Sequence, residues 1–390
     1  MRIVDIKEMT FPISSRIRNS VIDFSEMTIS LVALVSDQRI DGVPVIGFGF
    51  NSNGRYGQAG ILRERFFPRI QNAKPSELVE HGNSNFSPAA ISAKILSNEK
   101  PGGHGDRSVA AGVIDMAVWD LVAKLERKPL WSVLRERYRP NTTVEQRVWV
   151  YAAGGYYYGE SDTSQVRDEL LRYVDLGYRQ VKMKIGGVSL HEDLVRIEAV
   201  LSALPSGCRL AVDANGRYQP KDAVQCAKAL NAYELAWFEE PVDPLDYAAL
   251  AEVASAYDGP IATGENLFAR QEVQNLVRYG GLRPDRDVLQ MDPVLSYGAG
   301  EYMEMMQLLD AGSWPASALI PHGGHHFNLH IAAAFGLGGC EAYPAIFAPF
   351  GGFAPEVVVD GGYVTLPTDP GLGLEASPGL APKLEALRSL

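Results

Sequence analysis

From about residue 146 onward, short apolar runs alternate with stretches whose apolar residues recur every three to four positions. The runs are Val148–Ala152, Gln180–Ile185, Arg209–Val212, Leu235–Phe238, Pro260–Thr263, Val288–Met291, Ala318–Ile320 and Glu341–Ile346. Their starts lie mostly 22 to 32 residues apart, the length of one strand–helix unit. Between them, Val166, Leu170 and Val174 make a helical stripe that stops at Gly177. Leu194, Ile197, Leu201 and Leu204 make another before Pro205. Eight runs interleaved with helices predict an α/β fold, a (β/α)7β TIM-like barrel. An open doubly wound sheet is the alternative, and no Gly-x-Gly-x-x-Gly follows an early strand to support it.

The amino-terminal part has a different pattern. Ile3–Thr10 and Ser30–Val35 predict antiparallel strands, and Asp106–Leu134 is rich in helix formers. Near the other end, Val357–Val359 and Tyr363–Leu366 flank Asp360-Gly361-Gly362, a hairpin signal. The tail through Pro370–Glu375 fits neither repeat nor linker and is read as returning to the amino-terminal domain. The expectation is an α+β capping domain over residues 1–135, joined by 365–390, and a barrel over 136–364. A chain of 390 residues, 46% apolar, is long enough for both cores.

Charge narrows the partners. With 36 basic against 47 acidic residues the net charge is −11, which argues against nucleic acid and anionic lipid surfaces. Cys208, Cys226 and Cys340 are too few and too scattered for a disulfide framework, so a reducing compartment fits. The first residues carry charges where a secretion signal needs an apolar core, and no apolar run approaches the ~20 residues of a membrane helix. The expected location is the cytoplasm.

Barrel active sites gather at the carboxyl ends of the strands, so the polar residues there carry the chemistry. In order they are Lys182 and Lys184, Asp213 and Asn215, Glu239 and Glu240, Glu265 and Asn266, Asp292, His322 and Glu341. Lys182 and Lys184 share one face of their strand, while Val181, Met183 and Ile185 face the other way. An isolated Lys-x-Lys is most often a solvated edge. Two ammonium groups facing a barrel interior instead need anionic partners. Asp213, Glu239 and Glu265 supply them, 26 residues apart (213 to 239, 239 to 265) at the ends of successive strands. Three converging carboxylates repel unless a cation joins them, and an all-oxygen set selects Mg²⁺, with Mn²⁺ as a substitute, over zinc. Asp292 and His322 end neighbouring strands, and a carboxylate beside an imidazole makes a general acid/base. His322, His325, His326 and His330 lie within nine residues, so a zinc cluster is the competing reading; no His-Glu-x-x-His accompanies them. His325, His326 and His330 are read as structural or as supporting the site residues from behind, and His322 as the strand-end residue.

Together these motifs resemble the enolase superfamily, in its mandelate racemase/muconate lactonizing branch. The resemblance spans nearly the whole chain: Ala111–Leu121 with Lys128-Pro129-Leu130, Lys182-Met183-Lys184, Val212–Gly216, Trp237–Pro241, Gly264-Glu265-Asn266, Asp292 and His322. It implies one Mg²⁺ per subunit on Asp213, Glu239 and Glu265, and removal of a proton α to a carboxylate. Arg18-Asn19, Asn51–Tyr56, Asn98–His104, Tyr151–Tyr158, Ile320–Gly324 and Glu341–Pro344 resemble the tartrate-dehydrating members. That likeness implies conversion of D-tartrate to oxaloacetate and water, with Lys184 as base and His322, oriented by Asp292, assisting loss of the 3-hydroxyl. It places Asn19, Asn53, Lys100, Tyr156, Lys182, Asn215 and Glu341 around a small-molecule acid substrate. It also implies a homo-oligomer. The alternatives are an aldonic or aldaric acid dehydratase, a 2-hydroxy-acid racemase, and a metal- and acid-binding protein without turnover. The last has no use for an Asp292–His322 pair.

Overall fold

The computed structural model describes residues 1–13, 15–140, 145, 147–158, 162–344, 346–353 and 357–390. Three antiparallel strands open the chain: β1 (Ile3–Pro12), β2 (Thr28–Ile40) and β3 (Val43–Phe50), in that order across the sheet. The helix Asp106–Leu125 lies against β3 and carries almost no amphipathic stripe, because sixteen of its twenty residues are buried. Gly47 and Gly49 make that approach possible. A Cβ on Gly49 would stand 2.2 Å from the Val113 carbonyl oxygen, and one on Gly47 2.1 Å from that of Ala117. Gly49→Ala is therefore expected to destabilise the cap by roughly 1–3 kcal/mol through overpacking. Thermal unfolding checks this, with a lowered melting temperature as the outcome.

The two buried acids of this helix have identified partners. Asp115 accepts from Ala299 N at 2.7 Å, at the start of the helix Ala299–Ala311. Asp120 accepts from Phe48 N of β3 and from Leu372 N of the tail, both at 2.8 Å, and pairs with Lys124 at 2.6 Å. The tail thus closes on the amino-terminal sheet, where Lys124 also meets Glu375 at 2.6 Å and the Lys7 ammonium donates to the Arg388 carbonyl at 2.8 Å.

The barrel runs β4 (Arg147–Ala153), β5 (Gln180–Lys184), β6 (Arg209–Asp213), β7 (Phe238–Glu239), β8 (Ile261–Thr263), β9 (Val288–Leu289) and β10 (Cys340–Ala342). Neighbours pair in parallel, and β10 returns to β4. Helices Asp162–Asp175, Leu190–Leu201, Pro220–Leu230, Tyr247–Ala256, Arg270–Tyr279, Ala299–Ala311 and His326–Phe335 fill the intervals, giving the (β/α)7β order. Among the described residues, no helix is long and apolar enough to cross a membrane.

Three expectations change. The seventh run, Ala318–Ile320, forms a single parallel bridge, Leu319 to Leu289, rather than a strand. Pro321 has no N–H to extend a ladder. Its carbonyl still accepts from Glu341 N at 3.1 Å, and Ile320 N donates to Leu289 O at 2.9 Å, so the barrel closes across the gap. The eighth run ends at Ala342, and residue 345 within it lies outside the described residues. The hairpin near residue 360 is only half present. Asp360 and Tyr363 bridge across a tight turn, but β11 (Tyr363–Thr365) pairs antiparallel with Arg147–Trp149 of β4 instead of with Val357–Val359.

Candidate active site

Parallel register sets three of the charged strand ends abreast: Lys184 is paired with Asp213, and Asp213 with Glu239. Glu265 follows β8 through Gly264, whose φ of +123° turns the chain at the barrel mouth. The Asp213, Glu239 and Glu265 carboxylates are buried, and one oxygen from each lies within 4.8 Å of the others. Among the described residues they are the one cluster of three or more such ligands that a metal ion could share. Burial, with Asp213, Glu341 and Glu265 nearby, pushes Glu239 up to about 8 against the pull of Lys182. Asp213 feels the same burial, but the Lys184 and Lys182 ammonium groups hold it well below the usual carboxylate range. A divalent cation would relieve this crowding, and the all-carboxylate donor set fits a hard ion.

Two lysines occupy different levels of the site. Lys184 Nζ contacts Asp213 Oδ2 at 2.5 Å, lies 5.3 Å from the Tyr156 ring centroid, and lines the cavity. Lys182 is 1% exposed beneath it, ion-paired with Glu239, with Glu341 at 2.9 Å and with Asp213 at 3.4 Å. Burial opposes its charge, yet Glu239 and Glu341 raise its pKa well above the ordinary lysine value.

On the other side His322 Nδ1 faces Asp292 Oδ2 at 3.2 Å. Burial would raise the Asp292 carboxyl, but its hydrogen bond to His322 and the nearby imidazoles hold it low. Nε2 points toward the cavity, 3.0 Å from the Tyr343 hydroxyl and 3.4 Å from Glu265 Oε2. Burial would lower the His322 pKa, yet Glu265, Glu341 and Asp292 raise it to about 9. Tyr343 donates its hydroxyl to Glu341 Oε2 at 2.8 Å, and Gly323 N donates to the same oxygen at 3.0 Å. The remaining histidines do not gather as a metal set. His330 Nδ1 accepts from Trp131 N at 3.0 Å, and the buried His325 ring packs edge-on against Phe50.

A cavity of about 400 Å³ opens above these groups, roofed by the cap. Asn19, Asn53, Tyr156 and Asn215 line it with Lys184, Glu265 and His322, whereas Lys182 and Glu341 lie below its surface. Asn19 shapes its own loop by accepting from Val21 N at 2.8 Å and Ile22 N at 2.6 Å. Lys100 does not join them. It is exposed in a separate cavity with Arg107 and Tyr297, and Arg107 holds its carbonyl at 2.9 Å. Gly102, Gly103 and Gly105, all at positive φ, turn that loop away. The structure instead brings Tyr343, Arg55 and Asn266 to the wall. Arg55 donates to Asn266, which donates to both oxygens of the buried Glu240 at 2.8 and 2.9 Å. Tyr343 could have been found from alternation, since it sits two residues beyond Glu341 on the same face.

The chain is similar to known proteins. A family model described as enolase C-terminal domain-like matches residues 165–379. Arabinonate dehydratase of Saccharolobus solfataricus is 31% identical over 292 residues, 71% of this chain and 73% of that enzyme. L-talarate/galactarate dehydratase of Salmonella typhimurium is 29% identical, over 75% of this chain and 68% of its own length. Among solved structures, L-talarate dehydratase from Polaromonas sp. JS666, complexed with Mg and L-glucarate, superposes with a TM-score of 0.76. That match covers 94% of this chain and 92% of the other at 24% identity, and shows a shared fold.

Proposed function

The chain belongs to the enolase superfamily, in its mandelate racemase/muconate lactonizing branch, and from that premise we propose that it is a Mg²⁺-dependent dehydratase of a hydroxy-carboxylic acid. The observation that carries this reading is the pairing of a carboxylate triad with acid/base groups on two sides of one cavity. Lys184 enters from β5, and His322 follows the seventh strand position. The names of the two curated relatives, dehydratases of arabinonate and of talarate/galactarate, support the reaction class. D-tartrate, with oxaloacetate and water as products, is the substrate we place first, on the cap motifs. Longer aldonic and aldaric acids are the second reading, favoured by those same relatives.

The chemistry follows from where charge develops. A proton α to a carboxylate is too weakly acidic for an amine unless the enediolate is stabilised as it forms. Bound to Asp213, Glu239 and Glu265, a divalent cation would supply that positive charge to the substrate carboxylate. Lys182 adds a fixed ammonium from below. Lys184, as the neutral amine, takes the C2 proton beside the Tyr156 ring. His322 delivers a proton to the departing C3 oxygen, which leaves as water. The resulting enol takes up a proton at C3 to give the 2-keto acid. Asn19, Asn53, Asn215 and Arg55 offer hydrogen bonds to the rest of the acid.

Incubating the protein and Mg²⁺ with a panel of mono- and diacid sugars, tartrate stereoisomers included, tests the proposal through 2-keto acid formation. Keto acid from D-tartrate supports the narrow reading, and keto acid from five- or six-carbon acids alone moves the substrate to the second. No keto acid from any member overturns the dehydratase assignment.

A further inference from the structure

The cap reaches the acid/base pair through one hydroxyl. Ser52 Oγ donates to Asp292 Oδ2 at 2.5 Å, the same oxygen that faces His322 Nδ1 at 3.2 Å. The other oxygen of Asp292 accepts from Val294 N at 2.9 Å. Both carboxylate oxygens are thereby fixed in a fully buried group, where a free rotation would leave polar atoms unpaired. The orientation of a histidine depends on the partner of its second nitrogen, and that partner depends on its own hydrogen bonds.

Ser52 is itself anchored from two directions. Asn51 Oδ1 accepts from Ser30 N of β2 at 2.7 Å, and Asn51 Nδ2 donates to Arg55 O at 3.0 Å. Asn53 Nδ2 donates to Gly323 O of the barrel at 3.2 Å. Gly323, at φ +113°, occupies the point where the cap loop meets the barrel. A Cβ there would stand 2.5 Å from Asp292 Oδ2 and 2.8 Å from Ser52 Oγ. A side chain at 323 would separate the cap hydroxyl from the barrel carboxylate.

We propose that Ser52 is a positioning residue for His322, acting through Asp292, so that the cap loop walling the cavity with Asn53 and Arg55 also orients the acid. The proposal rests on the reading of His322 as the acid for the leaving hydroxyl. Specificity and acid orientation then reside on adjacent residues of one loop. Changes in loop 51–55 that alter the substrate are expected to alter kcat as well.

The experiment uses the full chain, ¹⁵N-labelled at histidine, with Mg²⁺ and no substrate. The His322 Nδ1 proton resonance, identified by its loss in His322→Asn, should shift or broaden by exchange in Ser52→Ala. Ser52→Cys, which keeps the shape but weakens the donor, should move it the same way, and Ser52→Thr should restore it. With the acid selected by the panel, Ser52→Ala should lower kcat about tenfold with KM within about twofold, and cost under about twofold when added to Asp292→Asn, because residues sharing one network are non-additive. An unchanged resonance, or equal losses in both backgrounds, overturns the proposal. If the wild type turns over no acid, the reading of His322 fails, and the resonance still decides whether Ser52 orients the imidazole.

Discussion

Replacing Lys184 by alanine is expected to abolish dehydration and, with it, exchange of the substrate C2 proton with solvent deuterium. Lys184 is the cavity-lining amine of the pair on β5; Lys182 is locked below by Glu239, Glu341 and Asp213. Lys182 cannot swing into its place without leaving those carboxylates unpaired, which is costly for buried charges. Loss of the base should lower kcat by about 10⁴-fold or more, at the upper end of general base contributions. The fold should persist, since Asp213 keeps Lys182 as an ion-pair partner at 3.4 Å and the backbone at 184 stays in the sheet. Deuterium incorporation followed by proton NMR, beside circular dichroism of the variant, checks both halves. Exchange at the wild-type rate would remove Lys184 from the mechanism.

The second large effect concerns the triad. Asp213→Asn, Glu239→Gln or Glu265→Gln each removes one charge from a buried all-oxygen set. Hard cations bind through charge and ligand number, so each variant should bind Mg²⁺ weakly and lose turnover. The wild type should lose activity in EDTA and recover it with Mg²⁺ or Mn²⁺, but not with Zn²⁺. Titration calorimetry with Mg²⁺ gives a readout independent of substrate. Full activity in the chelated wild type would exclude the triad as a metal centre for this reaction.

The barrel was legible because its signals are local. Each strand is a short apolar run, each strand end a polar residue, and register alone then sets Lys184, Asp213 and Glu239 side by side. The seventh strand shrank to a bridge because Pro321 cannot donate, although the same proline follows an apolar run that reads as strand. β3 carries a weak signal for the opposite reason. Gly47 and Gly49 dilute its alternation, and they are the residues that admit the long helix. The cap's contribution to the site was the least legible. Ser52 and Asp292 are 240 residues apart and share no motif, so only the folded chain brings them together. Lys100 is the reverse case: a motif points it at the substrate, while the folded chain places it in another cavity beside a loop with three positive-φ glycines.

The central claim is that Lys184 and His322 divide one elimination between them, and a proton NMR time course in D₂O tests it most directly. The acid selected by the panel, D-tartrate first, is followed with wild type, Lys184→Ala and His322→Asn in the presence of Mg²⁺. The account predicts 2-keto acid from the wild type alone, no exchange at C2 with Lys184→Ala, and exchange without dehydration with His322→Asn. Inversion at C2 by the wild type with no keto acid, abolished by either substitution, would contradict it and make the protein a two-base racemase.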